Sequence, residues 1–185
     1  MASVKIVITG PFGAGKTTLI RTISEITVLS TERDISDHTK VQKERTTVAM
    51  DFGRITIDPT LVLYLFGTPG QERFDFMWEI LSDGMLGFVL VCDRSRDETF
   101  DDAEKILKAF KSYGAEVPYV IAVNKYNPAD PAGEISYVQE RLALEDGVPV
   151  IPMNALDRGS VKNVLLALLY SVLEEVENET VAASA

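Results

Sequence analysis

Cysteine, long apolar runs and positive charge are all scarce in this chain, and each shortage argues against a structural feature or a class of partner. The single cysteine, Cys92, cannot form an internal disulfide, and its apolar surroundings predict a small buried side chain in a reducing cytoplasm. No apolar run approaches the ~20 residues of a membrane-spanning helix. There are 18 Lys and Arg against 28 Asp and Glu, a net charge of −10, so nucleic acid and anionic membranes are not expected as main partners.

What is present fits one folded domain. Hydrophobic residues make up 46% of the 185, which is enough for a full core, and the length suits one domain better than two. We expect a single domain over 1–178 and a disordered tail over 179–185. The N-terminus enters a strand pattern at once, so no signal peptide is expected, and neither Ala2 nor residues 181–185 fit a lipid-attachment motif.

One octapeptide, residues 10–17, carries the strongest functional signal. It reads Gly-Pro-Phe-Gly-Ala-Gly-Lys-Thr, which fits the phosphate-binding pattern G-x-x-x-x-G-K-[ST]. Its glycines allow backbone N–H groups and the following helix N-terminus to face a phosphate chain. Lys16 can reach the β- and γ-phosphates, and the Thr17 hydroxyl can bind Mg²⁺. The other residues expected at the phosphates are Gly10, Gly13, Ala14, Gly15 and Thr18. The alternative, a glycine-rich turn without a ligand, is disfavoured by the strand pattern before it and the helical pattern after it.

Alternating strand and helix patterns predict an α/β fold. Strands are expected at about 4–9, 47–57, 60–66, 86–92, 117–123 and 148–152. Helices are expected at about 16–26, 73–82, 97–113, 134–142 and 159–176. Only a tight turn joins 47–57 to 60–66, so these two strands form an antiparallel pair. The prediction is a six-stranded, mostly parallel sheet with one antiparallel edge strand and helices on both faces. The polar segment 30–45 is expected to be one long functional loop.

Four segments together resemble the Ras-like small GTPases. In that family's order and spacing they are the phosphate loop, Thr46-Thr47, residues 67–74 (Gly-Thr-Pro-Gly-Gln-Glu-Arg-Phe) and Asn124-Lys125-Tyr126-Asn127. The resemblance covers residues 4–176. More narrowly, 46–54 and 63–71 look like the prokaryotic small GTPases related to MglA and the roadblock-associated ATP/GTP-binding proteins. The resemblance implies a P-loop NTPase fold and a cytoplasmic molecular switch that binds GDP and GTP with Mg²⁺ and slowly hydrolyses GTP.

The resemblance assigns roles in the two switch segments. Thr47 matches the threonine that ligates Mg²⁺, although a threonine opening a strand is also ordinary. Gly67 stands where the family has a metal-holding aspartate, which leaves Thr17, Thr47, phosphates and waters as the obvious ligands. Gly70 offers an N–H to the γ-phosphate, and Gln71 stands where the water-orienting glutamine belongs.

Two further residues bear on the rate of hydrolysis. Phe12 replaces the family's usual glycine and would crowd an incoming arginine and the Gln71 side chain, unless it merely packs against the switch segments. Slow intrinsic turnover is expected in either case. Arg45 is the best internal candidate for such an arginine, although an exposed arginine on a loop is more often a solvated charge.

Base recognition is expected from the loops at 124–127 and 154–156. By resemblance, Asn124 ties its loop to the phosphate loop, the Lys125 stem covers the base, and the Ala155 N–H binds guanine O6. Asn127 replaces an aspartate that accepts two hydrogen bonds from guanine. Since an amide accepts through one oxygen only, weakened guanine selectivity is expected, unless Asp130 compensates.

An apolar cluster follows the second switch segment. Phe76, Met77 and Trp78 are consecutive and cannot all face inward on a helix, so an exposed apolar surface is expected near Phe74, Met77 and Trp78. By resemblance, the partner there is a roadblock-fold regulatory protein. Two alternatives stay open: a non-hydrolysing pseudo-GTPase scaffold, and an ATP-using kinase, which the lack of evident lid arginines disfavours.

Overall fold

A single sheet forms the centre of the protein. We describe residues 2–30, 50–113 and 117–183 of a computed structural model. In these residues the sheet has seven strands in the order β2-β3-β4-β1-β5-β6-β7. Their bounds are β1 Ala2–Thr9, β2 Leu29–Ser30, β3 Asp51–Asp58, β4 Leu61–Gly67, β5 Gly87–Asp93, β6 Tyr119–Asn124 and β7 Val150–Met153. β3 is antiparallel to both β2 and β4, while the other pairs are parallel.

The predicted α/β fold is therefore confirmed, with one addition. The antiparallel strand β3 was expected at the edge, but the two-residue strand β2 lies outside it. So short a strand leaves no apolar periodicity in the sequence that could predict it.

Five helices cover the sheet in the described residues: α1 Lys16–Ile23, α2 Asp75–Ser82, α3 Phe100–Tyr113, α4 Pro131–Arg141 and α5 Arg158–Ala183. Short 3-10 turns at Glu72–Phe74 and Asp97–Thr99 precede α2 and α3. α5 continues past residue 178, where the sequence analysis placed the end of the domain. None of the helices within 2–30, 50–113 and 117–183 is long and apolar enough to cross a membrane.

The core has two layers, one on each face of the sheet. One layer contains Leu19 and Ile20 of α1 and Leu168 of α5, and the other is built on the aromatic side chains Phe88 and Phe110. Every residue of β5 is buried, as expected of a central strand covered on both faces. Cys92 lies in this strand and is buried, which confirms the prediction of a small buried side chain. Burial raises the pKa of its thiol to about 12.

The strand directions bring the predicted motifs to one edge. Because β1, β4, β5, β6 and β7 run parallel, the loops that follow them all leave the same edge of the sheet. The antiparallel strand β3 begins at this edge, with Asp51 opposite Gly67 at the end of β4. Ligands of open α/β sheets bind at the carboxyl ends of the parallel strands, so this edge is where a functional site is expected.

Candidate functional site

The phosphate loop joins β1 to α1 in a conformation that needs its glycines. Gly10 and Gly15 have φ angles of 140° and 112°, which L side chains rarely adopt. A Cβ at Gly10 would lie 2.3 Å from the Val91 carbonyl oxygen, and one at Gly15 would lie 2.4 Å from Asn124 Nδ2. The glycines therefore let this loop lie directly against the ends of β5 and β6.

A cavity of about 210 Å³ opens beside this loop. Its lining includes Gly13, Gly15, Lys16, Thr17, Thr18 and Gly70 from the predicted phosphate contacts. Gly10 and Ala14 belong to the same loop without lining the cavity. Lys16 opens α1, and its Nζ donates to the carbonyl oxygens of Gly10 and Pro11, both at 2.7 Å. The cavity thus combines the first turn of a helix, a buried lysine and a glycine-rich backbone, which suits it to a phosphate chain.

The cavity wall contains a carboxylate, Asp51, which lies opposite Gly67 in the β3–β4 pair. Asp51 is only 7% exposed, lines the cavity and accepts a hydrogen bond from the Thr17 hydroxyl through Oδ2. A Cβ at Gly67 would lie 2.9 Å from the Asp51 Cβ and 2.8 Å from Ile20 Cδ1. Residue 67 must therefore be small for Asp51 to reach Thr17. β3 thus places a carboxylate in the cavity wall, across the β3–β4 pair from Gly67, which the sequence analysis did not include among the candidate metal ligands.

The arrangement at Asp51 fits Mg²⁺ bound with a nucleotide. Asp51 Oδ1 is buried and has no hydrogen-bond partner among the described residues, so it can accept a cation or a metal-bound water. Within 2–30, 50–113 and 117–183 no group of three or more His, Cys, Asp or Glu residues could hold a metal by itself. Mg²⁺ is usually bound by one or two carboxylates together with substrate phosphates and waters. Thr17 and Asp51 match that pattern.

The segment after β4 lies against the phosphate loop. A Cβ at Gly70 would lie 2.4 Å from the Phe12 backbone nitrogen, so the two loops touch there. Trp78 Nε1 donates to the Pro69 carbonyl oxygen at 2.9 Å, which fixes this segment to α2. Gln71 follows directly and is half-buried, and Phe12 is exposed at the mouth of the cavity.

The base-loop residues are brought to the phosphate loop. Asn124 Nδ2 donates to the Ala14 carbonyl oxygen at 3.0 Å, as expected of the residue that joins the two loops. Asn124 Oδ1 accepts from the Ala155 N–H at 3.2 Å, so the donor expected to bind guanine O6 is bonded within the protein here. Lys125 Nζ donates to Asp93 Oδ2 at 2.7 Å.

Asn127 and Asp130 have separate roles in the base loop. Asn127 is exposed, and its Oδ1 accepts from the Ala129 N–H at 3.0 Å. Its side-chain NH₂ is then the group left to face a base. Asp130 precedes α4 and accepts from the Gly133 N–H at 3.0 Å, so it is a helix cap. This assignment argues against Asp130 as the substitute for a guanine-reading carboxylate.

The apolar cluster on α2 is arranged differently from the expectation. Phe74 and Trp78 are buried, Met77 is half-buried, and the exposed apolar side chains are Phe76 and Ile80. Positions 74 and 78 are four residues apart and share the inward helix face, and 76 and 80 share the outward one. Exposed apolar surface is thus present beside the second switch segment, but at Phe76 and Ile80 instead of at Phe74 and Trp78.

Three predicted residues of the first switch lie outside the described part of the chain. These are Arg45, Thr46 and Thr47. Their proposed roles therefore stay predictions.

Comparisons with known proteins show the family of this chain. A family model described as "Conserved hypothetical ATP binding protein" matches residues 8–178, and the chain belongs to this family. At low identity it is also similar to Ras-related proteins, which supports its place in the P-loop superfamily of Ras-like GTPases.

Three relatives illustrate the range of sequence identity and coverage. An uncharacterized protein of Methanocaldococcus jannaschii is 35% identical over 127 residues, 69% of this chain and 73% of that protein. Ras-related protein Rab-12 of Mus musculus is 28% identical over 177 residues, 93% of this chain and 68% of Rab-12. GTP-binding protein ypt1 of Schizosaccharomyces pombe is 26% identical over 184 residues, 97% of this chain and 85% of ypt1.

Proposed function

We propose that this protein is a GTP-binding molecular switch that binds GDP and GTP with Mg²⁺, hydrolyses GTP slowly and signals through its switch loops to a protein partner. The observation that carries the proposal is the cavity at the carboxyl edge of the sheet, where the phosphate loop, the Thr17–Asp51 pair and Gly70 meet. The similarity to GTP-binding relatives supports guanine nucleotides as the ligand.

Binding follows from groups already in place around the cavity. The backbone of the phosphate loop and the first turn of α1 offer N–H groups to the phosphates. Lys16 Nζ, now bonded to loop carbonyls, would turn to the β- and γ-phosphates. Thr17, Asp51 and Thr47 would hold Mg²⁺, which supplies positive charge against the developing negative charge of the phosphates.

Hydrolysis would depend on Gly70, Gln71 and an arginine. Gly70 would donate its N–H to the γ-phosphate, and Gln71 would orient the attacking water. Arg45 is the proposed internal arginine. Because Phe12 is exposed at the mouth of the cavity, it would crowd the Gln71 side chain as well as an arginine supplied by another protein, so the intrinsic rate is expected to be slow.

The partner is proposed to be a roadblock-fold regulatory protein, acting as activator or effector, in the cytoplasm. This follows from the resemblance of residues 46–54 and 63–71 to the MglA-related branch. The exposed side chains Phe76 and Ile80 beside the second switch segment offer an apolar surface to such a partner.

The test is GTP turnover by the Gln71→Leu variant under excess Mg²⁺. Misplacing a reacting group by ~1 Å can cost about a hundredfold in rate, so we expect a loss of that order with GDP affinity nearly unchanged. Gln139→Leu on the exposed face of α4 is the matched control and should keep the parent rate.

Two other outcomes would change the proposed mechanism. Equal turnover in Gln71→Leu and the parent would remove Gln71 and point to Arg45 or to a group supplied in trans. A parent that retains nucleotide, identified by chromatography after denaturation, yet shows no turnover would favour the pseudo-GTPase scaffold.

A further inference from the structure

Asp93, the last residue of β5, is a buried carboxylate that the proposed function does not use. It is 0% exposed. Its Oδ1 accepts hydrogen bonds from Ser95, and its Oδ2 accepts from Arg96 Nε at 2.8 Å and from Lys125 Nζ at 2.7 Å. Burial alone would raise the pKa of this carboxyl, but the hydrogen bonds from Lys125, Ser95 and Arg96 outweigh burial and lower the pKa to about 2. Asp93 is therefore ionised at neutral pH and holds two cations.

Arg96 extends this cluster to the phosphate loop. Its Nη2 donates to the Phe12 carbonyl oxygen at 2.8 Å. A Cβ at Gly13 would lie 2.9 Å from the same Nη2, so the guanidinium lies directly against the Phe12–Gly13 peptide. Because guanidinium donors are arranged in a rigid fork, one arginine can bind Asp93 and the loop carbonyl together.

Lys125 extends the cluster to the base loop. It has a φ angle of 55°, a left-handed conformation that is costly for a residue with a side chain, and its ammonium is held by Asp93. The phosphate loop follows β1 and the base loop follows β6, with β5 between them in the sheet. Asp93 on the middle strand thus joins the two loops that a nucleotide would have to bridge.

The bond from Arg96 also orients a hydrogen-bond donor. In a trans peptide the C=O and the following N–H point in opposite directions. With the Phe12 carbonyl oxygen bound to Arg96, the Gly13 N–H points away from the guanidinium, and Gly13 lines the phosphate cavity. A loop held in this way has a donor placed before any ligand arrives, which removes part of the ordering cost of binding.

We propose that Arg96, held by Asp93, is a positioning residue for nucleotide: it fixes the Phe12–Gly13 peptide with its N–H toward the phosphates and so slows nucleotide dissociation. The proposal rests on the proposed function, because it needs a nucleotide in the cavity. It requires neither hydrolysis nor a particular base.

The first test is the rate at which a fluorescent GDP leaves the Mg²⁺-bound protein. We expect Arg96→Ala to raise this rate about ten- to a hundredfold, the range that the loss of one charged hydrogen bond corresponds to, with a nearly unchanged association rate. Arg96→Lys keeps the charge but not the fork and should fall between the two. Arg141→Ala is the matched control, because Arg141 pairs with Asp101 and Glu104 away from the cavity, and it should release GDP at the parent rate.

A second measurement separates positioning from general stability. The Gly13 amide proton should shift downfield when GDP binds the parent, and this shift should shrink in Arg96→Ala while the melting temperature of the nucleotide-free protein stays near that of the parent. If Arg96→Ala releases GDP at the parent rate, or if its Gly13 shift is unchanged, the inference is overturned and nucleotide binding stands. If the parent and Lys16→Ala both fail to bind nucleotide, the proposed function itself is wrong, and the inference about Arg96 is wrong with it.

Discussion

At the scale of single residues, the most informative feature is a carboxylate that lies on an unexpected strand. The sequence shows Gly67 where Ras-like proteins have an acid, and nothing nearby in sequence replaces it. The carboxylate that we propose as its replacement, Asp51, is 16 positions away and becomes visible only through the β3–β4 register, which sets it opposite Gly67. The signal available in the sequence was an acid at the start of one strand and a glycine at the end of the next.

Asp51→Asn tests this relocation. The amide keeps the size of the side chain and removes its charge, so we expect the Mg²⁺ affinity of the GDP-bound protein to fall about ten- to a hundredfold, as for groups that support a bound metal. The measurement is GDP release across a Mg²⁺ titration. Asp146→Asn, at an exposed position, controls for the change in net charge. An unchanged Mg²⁺ midpoint in Asp51→Asn would leave Asp51 a purely structural partner of Thr17.

Asn127→Asp tests the base site at the same scale. Because each carboxylate oxygen has two lone pairs, one of them can keep the bond from the Ala129 N–H while the two oxygens together accept from guanine N1–H and N2–H₂. A charge-assisted hydrogen bond contributes about 1.5–3 kcal/mol, so GDP should bind about ten- to a hundredfold more tightly. Xanthine nucleotide should bind more weakly, because its second carbonyl suits the Asn127 NH₂ better.

The measurement for Asn127 is a titration of both proteins with GDP and XDP at equal Mg²⁺. Asn163→Asp on the exposed face of α5 is the charge control. Unchanged GDP affinity in Asn127→Asp would mean that residue 127 does not face the base.

At the scale of elements, the type of each long helix and strand could be predicted, while several boundaries could not. α4 was expected from residue 134 but begins at Pro131, because Asp130 caps it and proline suits the first helical turn. A short first turn with few apolar residues gives no periodic signal. The sequence also does not show which face of α2 is buried. Four-residue spacing identifies two apolar faces, but only the packed structure shows which of them lies against the sheet.

Asp130→Ala tests the boundary of α4. The loss of a helix cap costs about 0.5–2 kcal/mol, so the free energy of unfolding in urea should fall by about 1 kcal/mol. Asp130→Asn can still accept from the Gly133 N–H and should lose much less. The preference for GDP over IDP, whose base lacks the 2-amino group, should stay the same in both variants. A changed preference with unchanged stability would return Asp130 to the base site.

At the scale of the whole molecule, the sequence predicts the class of fold better than the detail of the site. Parallel strands bring the phosphate loop, the Gly70 segment and the base loop to one edge whatever the exact strand order, so their proximity followed from the pattern alone. The contacts that join the loops, such as Arg96 to Phe12, depend on side-chain directions at loop ends. No periodicity encodes these directions, and they had to be read from the structure.

Nucleotide binding should stabilise the whole domain by mass action. GDP with Mg²⁺ at a hundred times its dissociation constant contributes about 2.7 kcal/mol, which raises the melting temperature of a domain of this size by roughly 5–10 °C. Lys16→Ala should abolish this shift while the unliganded protein melts near the parent temperature, since Lys16 serves the cavity and not the apolar core. Lys162→Ala on the exposed face of α5 should keep the full shift. If Lys16→Ala were stabilised by GDP as strongly as the parent, the phosphate-loop assignment would be wrong.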